Sequence, residues 1–324
     1  MSGRGFCRGL PGPWARKGGR ISSLYKNITL LCAVLLGLFL GLPPALAAEK
    51  RVTDLLGRQV WVPENPRRVI AMAPSVTEIV FALGCEHKLA GVTRFSDFPA
   101  RANVLPKIGS YVHLDLEKIV SLNPDLCIAV KDGNPKHVVD RLEAFGIPVF
   151  AVDPMNLTSV MQTITTIGGL IGTEKKAAAV VGDMRRRIAA VQKALAGMGT
   201  RPRVFFQIGI DPIVSAGSHT FIDELISMAG GDNLAAGGVP YPRFSREQVL
   251  NLAPDVIIIT SMARHAVFEA VKAYWGQWPG MPAVRDGRIH LQESNIYDRP
   301  TPRLVNGLET LSKILHPDRF QGDP

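Results

Sequence analysis

The sequence lacks most of the short motifs that mark soluble enzymes. No GxxxxGKS/T loop is present, and no GxGxxG follows a strand-like run, so the common nucleotide cradles are excluded. No GxSxG elbow and no HExxH occurs. No CxxC pair occurs, which leaves neither a zinc ribbon nor a thioredoxin-type site. The seven histidines (87, 113, 137, 219, 265, 290 and 316) are single and scattered. A zinc or manganese receptor would need several His and carboxylate ligands converging, so no resident metal is expected. No catalytic cofactor is expected either.

Acidic residues are missing from the first 48 positions, which hold six basic ones: Arg4, Arg8, Arg16, Lys17, Arg20 and Lys26. An uncharged run over 28–42 (ITLLCAVLLGLFLGL) follows them, then Pro43-Pro44 and Ala45-Leu46-Ala47-Ala48. Basic start, short apolar run and small-residue exit together predict a secretory signal peptide over 1–48, cleaved near Ala47 or Ala48. The competing reading is an uncleaved anchor, but fifteen apolar residues fall short of the ~20 needed to span a bilayer. Cys32 follows Leu31 early in the run, so no lipid-attachment site is predicted. No later stretch is long and apolar enough to span. The mature chain should be exported, soluble and periplasmic.

This changes the meaning of the charge. The full chain carries a formal +9, which taken alone points to a polyanionic partner. Cleavage would remove six of those charges and leave about +3, an ordinary surface balance. No nucleic-acid partner is expected. Cleavage also leaves Cys85 and Cys127 of the four cysteines. Export permits a disulfide, but their apolar settings favour two buried thiols.

With 46% hydrophobic and 20% charged residues over 324 positions, the chain suits two globular domains. A hairpin is expected over 51–62 around Leu56-Gly57-Arg58. Strands are expected at 68–72, 125–130 and 149–152, alternating with helices at 74–84, 115–122 and 135–145. That alternation predicts a parallel sheet covered by helices. Residues 157–199 contain no proline and no strand pattern. They predict a helix over 157–171, ended by Gly172, and a second from a Thr173 cap to about residue 196, ~36 Å long. Strands at 203–208, 255–260 and 288–291 and helices at 221–229, 245–252, 265–275 and 302–315 resume the α/β pattern. The expected organisation is an N-terminal lobe over 49–172, a connecting helix over 173–199 and a C-terminal lobe over 200–324.

The two lobes share a repeat. Tyr111, Glu117, Leu122, Pro124 and Asp125 match Tyr241, Glu247, Leu252, Pro254 and Asp255, each pair 130 residues apart. Asp115 and Ser245 both suit a helix N-cap, and Ser245 with Gln248 forms a capping box. Proline after a helix and aspartate before a strand are common punctuation. The tyrosine and glutamate matches are not.

Aromatic and polar residues fall in loops where strands end, the usual place for ligands in open α/β sheets. They are Phe95, Tyr111 and Tyr241, with Tyr297, Asp298 and Arg299 in the segment Glu293 to Arg303. Aromatic faces from two lobes can sandwich a flat apolar ligand. They can equally cover the edge of a core, and spacing alone does not separate these readings.

Several segments carry a family resemblance: 68–78 (RVIAMAPSVTE), 91–99 (GVTRFSDFP), 116–120 (LEKIV), 124–129 (PDLCIA), 203–210 (RVFFQIGI), 239–250 (VPYPRFSREQVL), 274–276 (YWG) and 298–303 (DRPTPR). With them the chain resembles the substrate-binding proteins of ABC importers, in the class whose two Rossmann-like lobes are joined by one long helix. Within that class it is most similar to the cobalamin (vitamin B12) binders, with siderophore and haem binders as relatives. The resemblance implies a non-enzymatic, monomeric receptor that delivers a metal chelate to a permease dimer with its ATPase subunits. It implies ligand contacts from Phe95, Tyr111, Ile208, Tyr241, Asn295 and Arg299. It implies docking of Glu117 and Glu247, one per lobe, into arginine pockets on the two permease subunits.

The sequence departs from the cobalamin pattern in places. Tyr111 and Tyr241 stand where those binders have Trp, Val130 stands for a third Trp, and Asn295 replaces an Asp. The hairpin at 51–62 is more typical of siderophore receptors, and a tyrosine near 111 ligates iron in haem receptors. A haem or ferric-siderophore ligand is therefore the alternative to a corrinoid. An exported two-lobed enzyme would need a catalytic constellation that the sequence does not offer. A sensor without an importer is a third possibility.

Overall fold

The computed structural model describes residues 48–261 and 266–320. Apart from Ala48, the expected signal peptide lies outside the described residues, and so does His265. The chain runs β1 (Glu49–Thr53), β2 (Gln59–Pro63), β3 (Val69–Ala71), α1 (Pro74–Ala82), β4 (Leu89–Val92), α2 (Leu116–Ser121), β5 (Leu126–Val130), α3 (Lys136–Ala144), β6 (Val149–Val152), α4 (Leu157–Ile171) and α5 (Glu174–Ala194). It continues through β7 (Arg203–Gly209), β8 (Ile213–Ser215), α6 (Phe221–Met228), β9 (Asp232–Asn233), β10 (Arg243–Phe244), α7 (Arg246–Leu252), β11 (Val256–Ser261), α8 (Ala266–Trp275), α9 (Pro282–Arg285), β12 (Ile289–Glu293), α10 (Asn295–Asp298) and α11 (Leu304–Leu315).

The α/β class holds. β4-β3-β5-β6 form a parallel four-stranded sheet. In the second half β7, β11 and β12 run parallel, with β9 beside the start of β7. β8 and β10 extend this sheet antiparallel. β1 and β2 make the expected hairpin, with Thr53 opposite Gln59. β4 and the antiparallel β8 and β10 were not among the expected strands. They hold four, three and two residues, too few to leave a period-two pattern.

Side-chain alternation sorts each strand onto two cores. Val69, Leu126 and Phe150 from the first sheet join Val204, Phe206 and Val256 from the second in one apolar cluster. Val160 and Ile164 of α4, Met184 and Ile188 of α5, and Leu308 and Leu311 of α11 complete it. The opposite sheet faces have cores of their own. Ile70, Met72 and Cys127 pack with Leu142 of α3, and Phe205, Ile257 and Ile259 pack with Trp275 of α8. Cys127 and Cys85 are buried free thiols.

α4 has the expected bounds, with Gly172 left-handed at its C-cap. α5 is shorter than expected, ending at Ala194 after 21 residues, ~32 Å. Thr173 holds the N-cap position, but its hydroxyl makes no cap bond. Arg187 on α5 is tied to α11, with its Nε 2.8 Å from Glu309 Oε1 and Nη2 2.6 Å from Asn306 Oδ1.

The repeat proves to be a structural device. Asp125 accepts the backbone N–H groups of Arg67 and Arg68 at 2.7 and 3.0 Å, and Asp255 accepts that of Arg203 at 2.8 Å. The side chains of Arg68 and Arg203 then donate to carbonyls at the C-terminal ends of α2 and α7, at Leu122–Asn123 and Leu252–Ala253. Cations suit these ends, because the last carbonyls lack intrahelical donors and the helix dipole is negative there. Asn123 and Ala253 both take left-handed backbone, at φ 47° and 45°. Asp115 and Ser245 cap the two helices as expected, and the Ser245–Gln248 box closes.

Asp255→Ala should therefore lower stability by about 1–2 kcal/mol, because a backbone donor at the start of β7 loses its acceptor. Urea unfolding should show a lower midpoint at unchanged slope. An unchanged midpoint would mean that water replaces the carboxylate without loss.

Candidate functional site

Phe95 and Tyr111 sit in loops at the C-terminal ends of the first sheet, and each loop is held from below. In the loop after β4, Ser96 Oγ lies 3.0 Å from Thr93 Oγ1 and 2.9 Å from Thr77 Oγ1 of α1, all three buried. Lys107 Nζ donates to the carbonyl of Ser96 at 3.1 Å. Phe95 is left 44% exposed, with the Arg94 guanidinium 4.8 Å over its ring. Tyr111 lies on a turn opened by Gly109 at φ 90°, where a Cβ would sit 2.4 Å from the His113 carbonyl. Buried Asn134 donates to the carbonyls of Tyr111 at 2.7 Å and Met72 at 2.9 Å, and accepts from Val130 N–H at 2.8 Å. Gly133 clears space for the phenol ring, since a Cβ there would lie 2.7 Å from Tyr111 Cδ2. Phe95 and Tyr111 meet edge to face, with centroids 6.3 Å apart.

Tyr241 is the counterpart in the second half. Its segment is pinned by Ser215 N–H to the Pro242 carbonyl (3.0 Å) and Gly217 N–H to the Pro240 carbonyl (2.8 Å). The side chain is exposed, yet the protein around it, together with the carboxylates of Asp132 and Asp298, raises its phenol pKa. Asp298 behaves alike. It is open to solvent, yet surrounding protein pushes its carboxyl from the ordinary 3.8 up to about 7, against the pull of Arg299. Asp132 belongs to the first half and Asp298 to the second, so carboxylates of both halves act on Tyr241.

The other candidates fall as follows. Ile208 extends the Val204–Phe206 face of β7 and packs half-buried against the shared core. Asn295 opens α10 half-buried, its amide 3.4 Å from Glu293 Oε1. Glu117 and Glu247 are exposed second residues of α2 and α7. Helix N-terminal backbone N–H, Ser245 and Arg246 hold the Glu247 carboxyl below the ordinary range. Arg246 Nη2 lies 3.2 Å from Glu247 Oε1.

Arg299, expected at a ligand's edge, is engaged across the seam. Its Nη1 donates to Glu78 Oε1 at 2.9 Å and Asp97 Oδ1 at 2.7 Å, and its Nη2 to the Phe95 carbonyl at 3.1 Å. Arg303 forks onto the same Glu78 through Nε and Nη2, both at 2.8 Å, and stacks 3.8 Å over the Phe98 ring. Side-chain exposure is 3% for Glu78 and 13% for each arginine. Burial opposes the Arg299 charge, but the bonds to Asp97 and Glu78 outweigh it and raise its pKa. Removing the carboxylate would take the bidentate partner from largely buried Arg303 and leave Arg299 with Asp97 alone; breaking a buried pair in this way typically costs about 3–5 kcal/mol.

Sequence reasoning assigned no role to Glu78, Asp97, Arg303 or Asn134. One signal was available. Glu78 is the sole charged residue of α1, and a buried charge needs a partner. Two surface concavities of about 300 and 590 Å³ lie elsewhere, beside Gln192 and Met198 and beside Arg288 and His290. Neither holds a candidate residue. Among the described residues no group of three or more His, Cys, Asp or Glu is placed to hold a metal ion.

The chain is similar to known periplasmic binding proteins over most of its length. Residues 69–295 match the family described as periplasmic binding protein. A vitamin B12-binding protein of Vibrio parahaemolyticus is 32% identical over 247 residues, covering 76% of this chain and 88% of its own. The solved vitamin B12-binding protein of Vibrio cholerae superposes with a TM-score of 0.71 at 29% identity, covering 80% of this chain and all of its own. A solved periplasmic haem-binding protein of Pseudomonas aeruginosa also gives 0.71, at 28% identity, covering 78% of this chain and 93% of its own.

The raised pKa of Asp298 has a defined sign. Below about pH 4 the folded and unfolded chains both hold the proton, and above it the unfolded carboxyl ionises first. Its contribution to stability should thus fall as pH rises from about 4 to about 7 and stay level beyond. Asp298→Asn should gain melting temperature relative to wild type across that window. A gap that does not grow with pH would place the carboxyl in ordinary solvent.

Proposed function

The chain belongs to the periplasmic binding protein family, and from that membership and its paired aromatics we propose that it captures cobalamin or a related corrinoid between its two halves. The protein is a substrate-binding protein and not an enzyme. The observation that carries the ligand reading is the edge-to-face pair Phe95–Tyr111 on one half, with exposed Tyr241 on the other. A flat chelate with apolar faces and a polar rim fits such a gap. The likeness to proteins named for vitamin B12 favours a corrinoid.

In this reading the signal peptide directs the chain to the periplasm and is cleaved near Ala47 or Ala48. The halves act as lobes over 49–172 and 200–324, and α5, within 173–199, as their connector. A continuous helix and a shared core offer no loop hinge, so the lobes move little on binding. The monomeric receptor then docks on an inner-membrane ABC permease dimer driven by its ATPase subunits. Glu117 and Glu247 support this step. Both are exposed, both follow an N-cap by two residues, and the repeat puts them at equivalent places on the two halves. Such carboxylates can accept charge-assisted bonds from arginines of a two-fold partner.

A second reading, a haem or ferric siderophore, is favoured by one feature. The Tyr111 phenol stands beside Phe95 at the seam, where it could ligate iron, and haem-binding proteins are among the similar structures.

Visible-absorption titration with cobalamin, haem and ferric siderophores should show saturable binding of cobalamin. A Soret band that shifts on Tyr111→Phe would select haem instead. Tyr111→Ala and Tyr241→Ala should each weaken binding by about 1 kcal/mol or more through lost stacking. Unchanged affinity would put them outside the site. The double variant Glu117→Ala/Glu247→Ala should abolish uptake while ligand affinity stays intact. Lost affinity would move the glutamates into the ligand site.

A further inference from the structure

Arg299 and Arg303 reach the Phe95–Phe98 segment from the second half, and both are already engaged. Arg299 spends its donors on Glu78, Asp97 and the Phe95 carbonyl. Arg303 turns two donors to Glu78 and has its face covered by Phe98. The two guanidiniums thus meet three carboxylates, because Glu293 Oε1 also lies 3.9 Å from Arg303 Nη1, and neither cation is left unpaired. What lies beyond them is acidic: Asp132 and Asp298 border Tyr241 closely enough to act on its phenol, and both are exposed. Two further cations stand at this wall: Arg94 lies against the Phe95 ring, and Lys107, which faces Asp97, donates its ammonium protons to the Ser96 and Ala102 carbonyls.

We propose that Glu78 and Asp97 set the specificity of the seam by neutralising Arg299 and Arg303, so that it takes a flat metal chelate rimmed with neutral amides and rejects one rimmed with carboxylates. This rests on the reading of the seam as a metal-chelate site and narrows it to a rim chemistry. A carboxylate entering here finds both guanidiniums occupied and acidic groups opposite. It must either compete with Glu78 for a bidentate partner or remain unpaired beside like charge. An amide N–H finds carboxylate acceptors, and an amide carbonyl brings no charge to be desolvated. Rejection of the charged rim is thus built from repulsion and occupied donors, rather than from extra contacts to the preferred one.

The test uses the exported protein and two matched pairs. The first is cobinamide against cobyrinic acid, one ring with amide or carboxylate arms. The second is haem against its diamide. Wild type should bind the amide member at least about tenfold more tightly in the pair it accepts. Glu78→Gln and Asp97→Asn should shrink that ratio several-fold by strengthening the carboxylate member. A variant that merely loosens the fold weakens both members alike and leaves the ratio unmoved. Asp97 is exposed, so Asp97→Asn gives the ratio even where Glu78→Gln does not fold. Equal affinity within the pair in wild type, or an unmoved ratio in Asp97→Asn, would overturn the proposal. Binding of the haem pair without the corrinoid pair would sink the corrinoid reading while still testing the rim preference. Binding of neither pair would overturn both.

Discussion

The Glu78 carboxylate is held in place by packing that has nothing to do with its charge. α1 buries Val76, Ile79 and Val80 in the shared core, and this fixes the helix against the first sheet. Glu78 comes along, 3% exposed, in a place where an unpaired charge would be untenable. Its partners come from the other half, where Arg299 ends α10 and Arg303 stands at the start of α11. A cation at a helix N-terminus is disfavoured by the helix dipole, so Arg303 depends on Glu78 as much as Glu78 depends on it. Through Arg299 the network reaches the carbonyl of Phe95, and through Arg303 the ring of Phe98. The aromatic wall of one half is thus positioned partly by side chains of the other.

Beneath this ionic contact the halves share an apolar core. Phe206 of β7 packs 5.3 Å from buried Tyr297, and the same cluster runs through α4, α5 and α11 to Phe150 of β6. Separating the halves would expose part of that cluster and break the Glu78 network together. Close-packed interiors shift between discrete arrangements rather than deform smoothly. A ligand site at this seam, as proposed, would therefore keep a nearly fixed width, which suits selection by shape and rim chemistry more than enclosure.

Much of the local structure was legible. Asp115 and Ser245 cap their helices because a short side-chain oxygen reaches the orphan N–H groups of the first turn. Gly172 ends α4 because it takes left-handed backbone at no steric cost. The repeat was visible as matched residues 130 apart, although what Asp125 and Asp255 do became clear only when Arg68 and Arg203 were seen beside them. The short strands β4, β8 and β10 were not legible, because pairing partners define them and their own pattern does not.

The sequence by itself determined the α/β class, the cap and turn chemistry, the repeat and the family, since each rests on neighbours a few residues apart or on motif strings. Tertiary structure alone decided which charges meet. Glu78 and its arginines are separated by 221 and 225 residues, and no periodicity or motif spans such a gap. Only the packing of α1, α10 and α11 brings them within bonding distance. That packing engages Arg299 with Glu78 and Asp97.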